Sequence, residues 1–174
     1  MKFFKYSAIP FLLSIIPFLW DGHISMLLNH YFSPELFLSS HLFIIYMSIL
    51  TLSRPNNFSF LYLVCLGFLY DTYYFKTVGI VIITLPLLSY LLAQLLRFVK
   101  RNAYVDCLLA FLFLFFFDTI NFGFALYYGF TIESISDFII YQLSPSLVFN
   151  LLIFILIKPS VEKLFLYLSV VRFK

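Results

Sequence analysis

The chain alternates long apolar runs with short polar breaks. Six runs stand out, at approximately Tyr6–Trp20, Leu36–Ser53, Phe58–Phe75, Val78–Leu96, Asp106–Tyr128 and Phe138–Ile157, and each predicts a helix. The breaks differ in chemistry: "DGH…NHYFSPE", "SRPNN", "KTVG", "RFVKRN" and "GFTIESISD". Apolar residues are continuous within the runs, without the period-two alternation of outer-membrane strands, so the pattern predicts helices and no barrel. About 20 apolar residues cross a ~30 Å hydrocarbon layer. The expected architecture is all-α: one polytopic integral membrane domain of six helices over residues 1–174, with a basic cytoplasmic tail at 158–174.

Two runs are irregular. Pro10 and Pro17 bracket most of the first, which predicts a kink or a continuation toward Leu28. The third is too short as Phe58–Tyr70, since 13 residues reach only about 20 Å. To cross, it must continue through "DTYYF", which draws Asp71 into the outer leaflet and leaves Lys76 to extend its ammonium outward. A second carboxylate, Asp118, lies inside "FLFLFFFDTINFGF", near mid-depth of the fifth run.

Charge orients this pattern. With the N-terminus inside, the cytoplasmic side receives Lys2, Lys5, Arg54, Arg97, Lys100, Arg101, Lys158, Lys163, Arg172 and Lys174, and the outer side only Lys76. That asymmetry places both termini in the cytoplasm. Asp21, Glu35, Asp71, Glu133 and Asp137 then fall at or near the outer side.

Composition names the solvent. The 174 residues are 63% apolar and 11% charged, against about 45–50% and about 25% in soluble domains. So short a chain cannot hide that excess in a water-facing core, which leaves lipid. Cys65 and Cys107 lie in apolar runs without a C-x-x-C spacing and read as buried small hydrophobes. "MKFFKYSAIPFLLSIIPFLW" is like a signal peptide but lacks a small-x-small cleavage site, so a retained first helix is expected. The tail "KPSVEKLFLYLSVVRFK" predicts either a short amphipathic helix on the inner surface or a frayed basic end.

Asp118 costs about 2.5–3.5 kcal/mol on insertion scales if charged at mid-depth. It should face other helices and be neutral and hydrogen-bonded, sharing a face with Asn121 and Ala125 and meeting Ser146 and Asn150 of the sixth helix. A proton relay or a partner contact is the functional alternative. Asp71 reads as an interfacial carboxylate in a tyrosine belt. Gly67, one turn earlier on the same face, allows close helix approach; Gly79 can supply a positive φ; Pro86 bends the fourth helix. His23, His30 and His41 match no metal-ligand spacing, and "SPS" at 144–146 is expected to kink a helix. No nucleotide loop, hydrolase elbow or zincin motif is present, and the basic residues form no nucleic-acid stripe. No metal, cofactor or nucleic-acid partner is expected.

The order Gly67, Asp71, a short connection, Gly79, a long apolar helix ending in "YLL" at Tyr90, and then Asp118 resembles the rod shape-determining protein MreD family. In that family a membrane-embedded glycine–aspartate turn links the third and fourth helices and a second aspartate sits in the fifth. The connection "TYYFKTV" is bulkier than the Ser- and Gly-rich one usual there. The resemblance implies a non-catalytic scaffold of the cell-wall elongation machinery in the bacterial cytoplasmic membrane. Its implied partners are membrane lipid, MreC and peptidoglycan synthesis proteins, with a homo-oligomer left open. It also implies a fold like the substrate-capture subunits of energy-coupling-factor transporters. The alternative function is therefore a small-molecule-binding subunit of a vitamin transporter. An intramembrane enzyme would have Asp71 and Asp118 as its candidate groups.

Overall fold

One helix, α1 (Lys2–Phe32), takes up the first apolar run and the polar residues after it. It passes through Pro10 and Pro17 and ends twelve residues beyond the expected boundary at Trp20. Its polar residues do not break it, because Asp21, Ser25 and Asn29 recur every fourth position and share one face. The computed structural model describes residues 2–32, 36–53, 60–76 and 79–170, and among these all regular structure is helical. Glu35, Arg54, Arg172, Lys174 and most of the "SRPNN" break, all used in the sequence argument, lie outside the described residues.

The second run splits. Residues 36–41 are not helical, and α2 spans only Leu42–Ser53. Every residue from Phe43 to Leu52 is buried, so α2 is apolar all round because it is the central helix. It packs against α1, α4 (Val81–Leu95), α5 (Ala103–Tyr127) and α7 (Ser144–Val170). Helix α3 (Phe60–Tyr70) runs directly into a π-helical turn, Asp71–Phe75, and lies along α4. Asn102 caps α5, its Oδ1 accepting from Val105 N–H at 2.8 Å.

Helix α6 (Ile135–Asp137), a second π-helical segment (Phe138–Leu143) and α7 follow one another without a break. The "SPS" serines therefore sit where π-helical geometry returns to α-helical. The tail, as far as Val170, is neither frayed nor a separate surface helix: it extends α7, with buried Phe165 edge-on to the Tyr46 ring at 5.8 Å.

Large apolar side chains also cover the outside. Leu12, Phe60, Leu87, Tyr90, Leu152 and Leu156 are exposed on α1, α3, α4 and α7, and so is Cys65, contrary to its expected burial. Cys107 is half-buried. Large apolar patches on an outer surface mark contact with a membrane or with other proteins. Among the described residues, three helical stretches are long and apolar enough to cross a membrane: Leu12–Phe32, Ala103–Tyr127 and Ile135–Tyr167. Leu42–Ser53, Phe60–Phe75 and Val81–Leu95 are apolar but shorter.

One end of the bundle is tied by charge. Arg101 grips buried Asp106 with two nitrogens (3.1 and 2.9 Å) and donates a third bond to the Leu52 carbonyl at the end of α2 (2.8 Å). Lys158 of α7 reaches Asp106 at 2.6 Å, and Glu162 lies 3.5 Å from Arg101. This joins α2, α5 and α7 at the end opposite the site described next.

Candidate functional site

Helices α2 and α4 are short and begin inside the bundle. The first four N–H groups of any helix lack an intrahelical acceptor, and at membrane depth each unmet donor costs several kcal/mol. Both helices solve this with a carboxylate from the preceding helix. Asp71, fully buried, accepts from Gly79 N–H (2.9 Å), Val81 N–H (2.8 Å) and Ile82 N–H (3.2 Å). A negative group at a helix N-terminus also meets the positive end of its dipole.

The turn geometry brings Asp71 there. Lys76 N–H closes the π turn by donating to the Asp71 carbonyl, and Lys76 itself is left-handed at φ 52°. Gly79 has φ 125°, a region open to glycine and few others. One turn before Asp71, Gly67 lies against the start of α4. A β-carbon built at Gly67 would stand 2.6 Å from Ile82 Cα and 2.7 Å from the Val81 carbonyl oxygen. Gly67 lets α4 approach, and Asp71 then caps it.

The bulky connection has its own use. The Tyr74 hydroxyl accepts from Gly22 N–H (3.1 Å) and donates to the Phe18 carbonyl, pinning the π turn onto α1. Phe18 packs edge-on to Tyr70 and Tyr74, and Tyr70 stacks on Phe43.

The second carboxylate-capped start is that of α2. Asp21 accepts from Leu42 N–H (2.5 Å), Phe43 N–H (3.3 Å) and the Ser40 hydroxyl (3.1 Å). The non-helical residues before it are equally well supplied. Phe37 donates to the Tyr141 carbonyl (2.9 Å), Ser39 to Ser146 Oγ (3.0 Å) and His41 to Asn150 Oδ1 (2.9 Å). Leu38 donates to Asn29 Oδ1 (2.8 Å) and Ser40 to Ser25 Oγ (2.9 Å). Successive N–H groups from Phe37 to Leu42 thus point alternately to the Phe138–Val170 rod and to α1. That alternation belongs to an extended chain, in which two residues advance about 6.7 Å. It nearly matches the ~6 Å between helical acceptors four residues apart, which is why Asp21, Ser25 and Asn29 can serve every second donor. A polar backbone can lie inside a membrane bundle only when satisfied in this way.

Beside this segment, His41 Nε2 stands 2.8 Å from Asp118 Oδ1, both side chains nearly buried, with the Phe117 ring edge-on to the imidazole. Asp118, Asn121 and Ala125 share a face of α5 that lines a cavity of about 390 Å³. The cavity also borders Tyr70, Tyr74 and Glu133.

The sequence profile of the family described as rod shape-determining protein MreD matches residues 5–168. The chain belongs to the MreD family. It is 30% identical over 154 residues to the cell shape-determining protein MreD of Streptococcus pneumoniae, covering 87% of this chain and 93% of that protein. No solved structure gives a significant match.

In this MreD-family chain the residues singled out by sequence fall into three places. Gly67, Asp71 and Gly79 meet at the start of α4. Asp118 and Asn121 line the cavity wall. Pro86 is buried within α4, and Tyr90 lies on its outward face, away from both. Ser146 and Asn150 do not meet Asp118 as expected, since both are engaged with residues 37–41; the partner is His41. Of the other histidines, His23 and His30 are exposed on α1. Among the described residues no group of three His, Cys, Asp or Glu side chains is arranged to hold a metal ion. Asp21, Ser25, Asn29 and His41 had no assigned role in the sequence reading. The signal for Asp21, Ser25 and Asn29 was their four-residue spacing, which sets them on one face of α1.

The His41–Asp118 pair makes a measurable prediction. Asp118→Asn keeps an oxygen acceptor for His41, so its thermal midpoint in detergent should stay close to that of the unsubstituted protein. Asp118→Leu leaves a buried imidazole without an acceptor and should lose about 1–3 kcal/mol. Equal losses in both variants would mean that the charge, and not the acceptor, is required.

Proposed function

We propose that this protein is a non-catalytic membrane scaffold of the cell-wall elongation machinery, acting in cell shape by binding MreC and peptidoglycan synthesis proteins. The observation that carries the reading is the MreD-family match over residues 5–168. The use of the carboxylates is consistent with it. Asp21 and Asp71 serve as backbone caps and Asp106 as a tie between helices.

In this reading the chain crosses the bacterial cytoplasmic membrane six times with both termini in the cytoplasm. The short α2 fits such a crossing because six extended residues before it add roughly 20 Å to its own ~18 Å. The positive-inside bias places the Arg101–Asp106 end in the cytoplasm and the Asp71 turn near the outer surface. A reporter fused after Lys174, or placed in "RFVKRN", should read cytoplasmic, and one in "TIESISD" should read outside. A Lys174 fusion that reads outside would refute the six-span arrangement.

The function itself is tested by crosslinking in native membranes followed by purification through a tag on this chain. Recovery of MreC and wall synthases is the expected result. Recovery of a paired ATPase module in their place would turn the assignment toward a vitamin-transporter subunit.

A further inference from the structure

A cavity opens beside Asp118. Its size, about 390 Å³, falls in the range of small-molecule sites, which run about 300–1,000 Å³. It is far too wide to coordinate a bare metal ion, whose ligand bonds are about 2.0–2.6 Å.

The polar groups around it share one character. Asn121 Oδ1 and both ring nitrogens of His41 are buried without a hydrogen-bond partner, and His41 as a whole is only 8% exposed. His41 Nε2 lies 2.8 Å from Asp118 Oδ1 as an ion-pair contact, and a neutral imidazole keeps one ring nitrogen as an acceptor. Asp118 and Glu133 add carboxylate oxygens, and among the described residues the lining holds neither lysine nor arginine. Asp21, Asp118 and Glu133 outweigh a single histidine, so the formal charge of the lining is negative in either state of His41. The walls are aromatic: Tyr70, Tyr74, Phe117, Phe122 and Phe138. A buried acceptor without a donor is costly to leave unmet, and here Asn121 and His41 both border one space.

We propose that this cavity binds an organic cation, an ammonium or guanidinium group on an apolar stem, entering past Glu133. The cation sits between the Asp118 carboxylate and the aromatic walls, donating to Asn121 Oδ1 and His41 Nδ1. The stem fills the apolar part of the space. The site goes beyond the scaffold reading and does not depend on it.

The experiment is calorimetric titration of the purified full chain in lipid nanodiscs, with empty nanodiscs as the blank. The probes are tyramine, agmatine, the neutral tyramine analogue 4-ethylphenol, and the blocked tripeptide acetyl-Ala-Arg-Ala-amide. At least one cationic probe should bind saturably, and 4-ethylphenol should bind about tenfold more weakly than tyramine or worse. Asp118→Asn should weaken cation binding by about tenfold or more. Glu133→Gln, at the exposed rim where folding is not at stake, should weaken it by a smaller factor. The tripeptide binding more tightly than agmatine would identify the source as a side chain of a partner protein, and the reverse order a free solute; both uphold the site. Equal binding of tyramine and 4-ethylphenol, binding unchanged in Glu133→Gln and Asp118→Asn, or no saturable binding of any cation would overturn it.

Discussion

Gly67→Leu should leave little folded protein, and Gly67→Ala should already be harmful. Even one added carbon would stand 2.6 Å from Ile82 Cα, 2.7 Å from the Val81 oxygen and 2.8 Å from Ile82 N, whereas carbon atoms rest at about 3.5–4.0 Å. The obstructing atoms are backbone, so no rotamer change relieves the clash. Helices α3 and α4 would have to separate by about an ångström, and overpacking of a close-packed interior costs about 1–3 kcal/mol. Alanine is expected near the top of that range and leucine beyond it. The separation has a second consequence. Asp71 lies one turn further along α3 and would be drawn from its donors on α4. Because the two residues act on the same contact, Gly67→Ala and Asp71→Ala combined should cost less than the sum of the single losses. Thermal midpoints of the extracted protein, read by fluorescence size-exclusion, measure all three. A Gly67→Ala protein as stable as its parent would disprove the close approach.

Asp71→Ala is expected to have a comparably large effect. Three backbone donors, on Gly79, Val81 and Ile82, would lose their acceptor. At about 1–3 kcal/mol for each buried group left unmet, the loss is on the order of 3–9 kcal/mol, much of the ~5–15 kcal/mol that holds a typical domain together. Asp71→Asn keeps one acceptor oxygen and sets an amide NH₂ against the remaining donors, so an intermediate loss is expected. The order aspartate, asparagine, alanine in midpoint and in cellular abundance is the signature of capping. If alanine instead keeps normal abundance while cells still lose their elongated shape, Asp71 serves a partner and not the helix.

The spacing of the glycine–aspartate turn was legible in the sequence, but Asp71 itself was expected at the interface in a tyrosine belt and is instead fully buried as the cap of α4; the turn at Asp21 was not legible, although the same chemistry builds both. Gly67, Asp71 and Gly79 lie within thirteen residues, and a glycine one helical turn from an aspartate declares a shared face by spacing alone. Asp21 caps a helix that begins twenty-one residues later, across residues 33–35, which lie outside the described structure. Ser39, Ser40 and His41 do mark the start of α2 in "LFLSSHLFIIYMSILTLS", but nothing local says that its acceptor is Asp21. Asp118 shows the same limit. Its depth and its neighbours Asn121 and Ala125 followed from the sequence, but its partner came from His41, seventy-seven positions away, and not from the sixth helix.

The sequence by itself determined the solvent, the helical class, the charge bias between the two ends and the glycine–aspartate turn. Each of these follows from composition or from periodicity within a few turns of chain. Only the tertiary structure decided which donors needed acceptors. A backbone N–H is the same at every position, so whether it is met depends on what lies across from it. The non-helical segment before α2 exists because Asn29, Ser25 and Asp21 on one side, and Tyr141, Ser146 and Asn150 on the other, stand at its successive N–H groups.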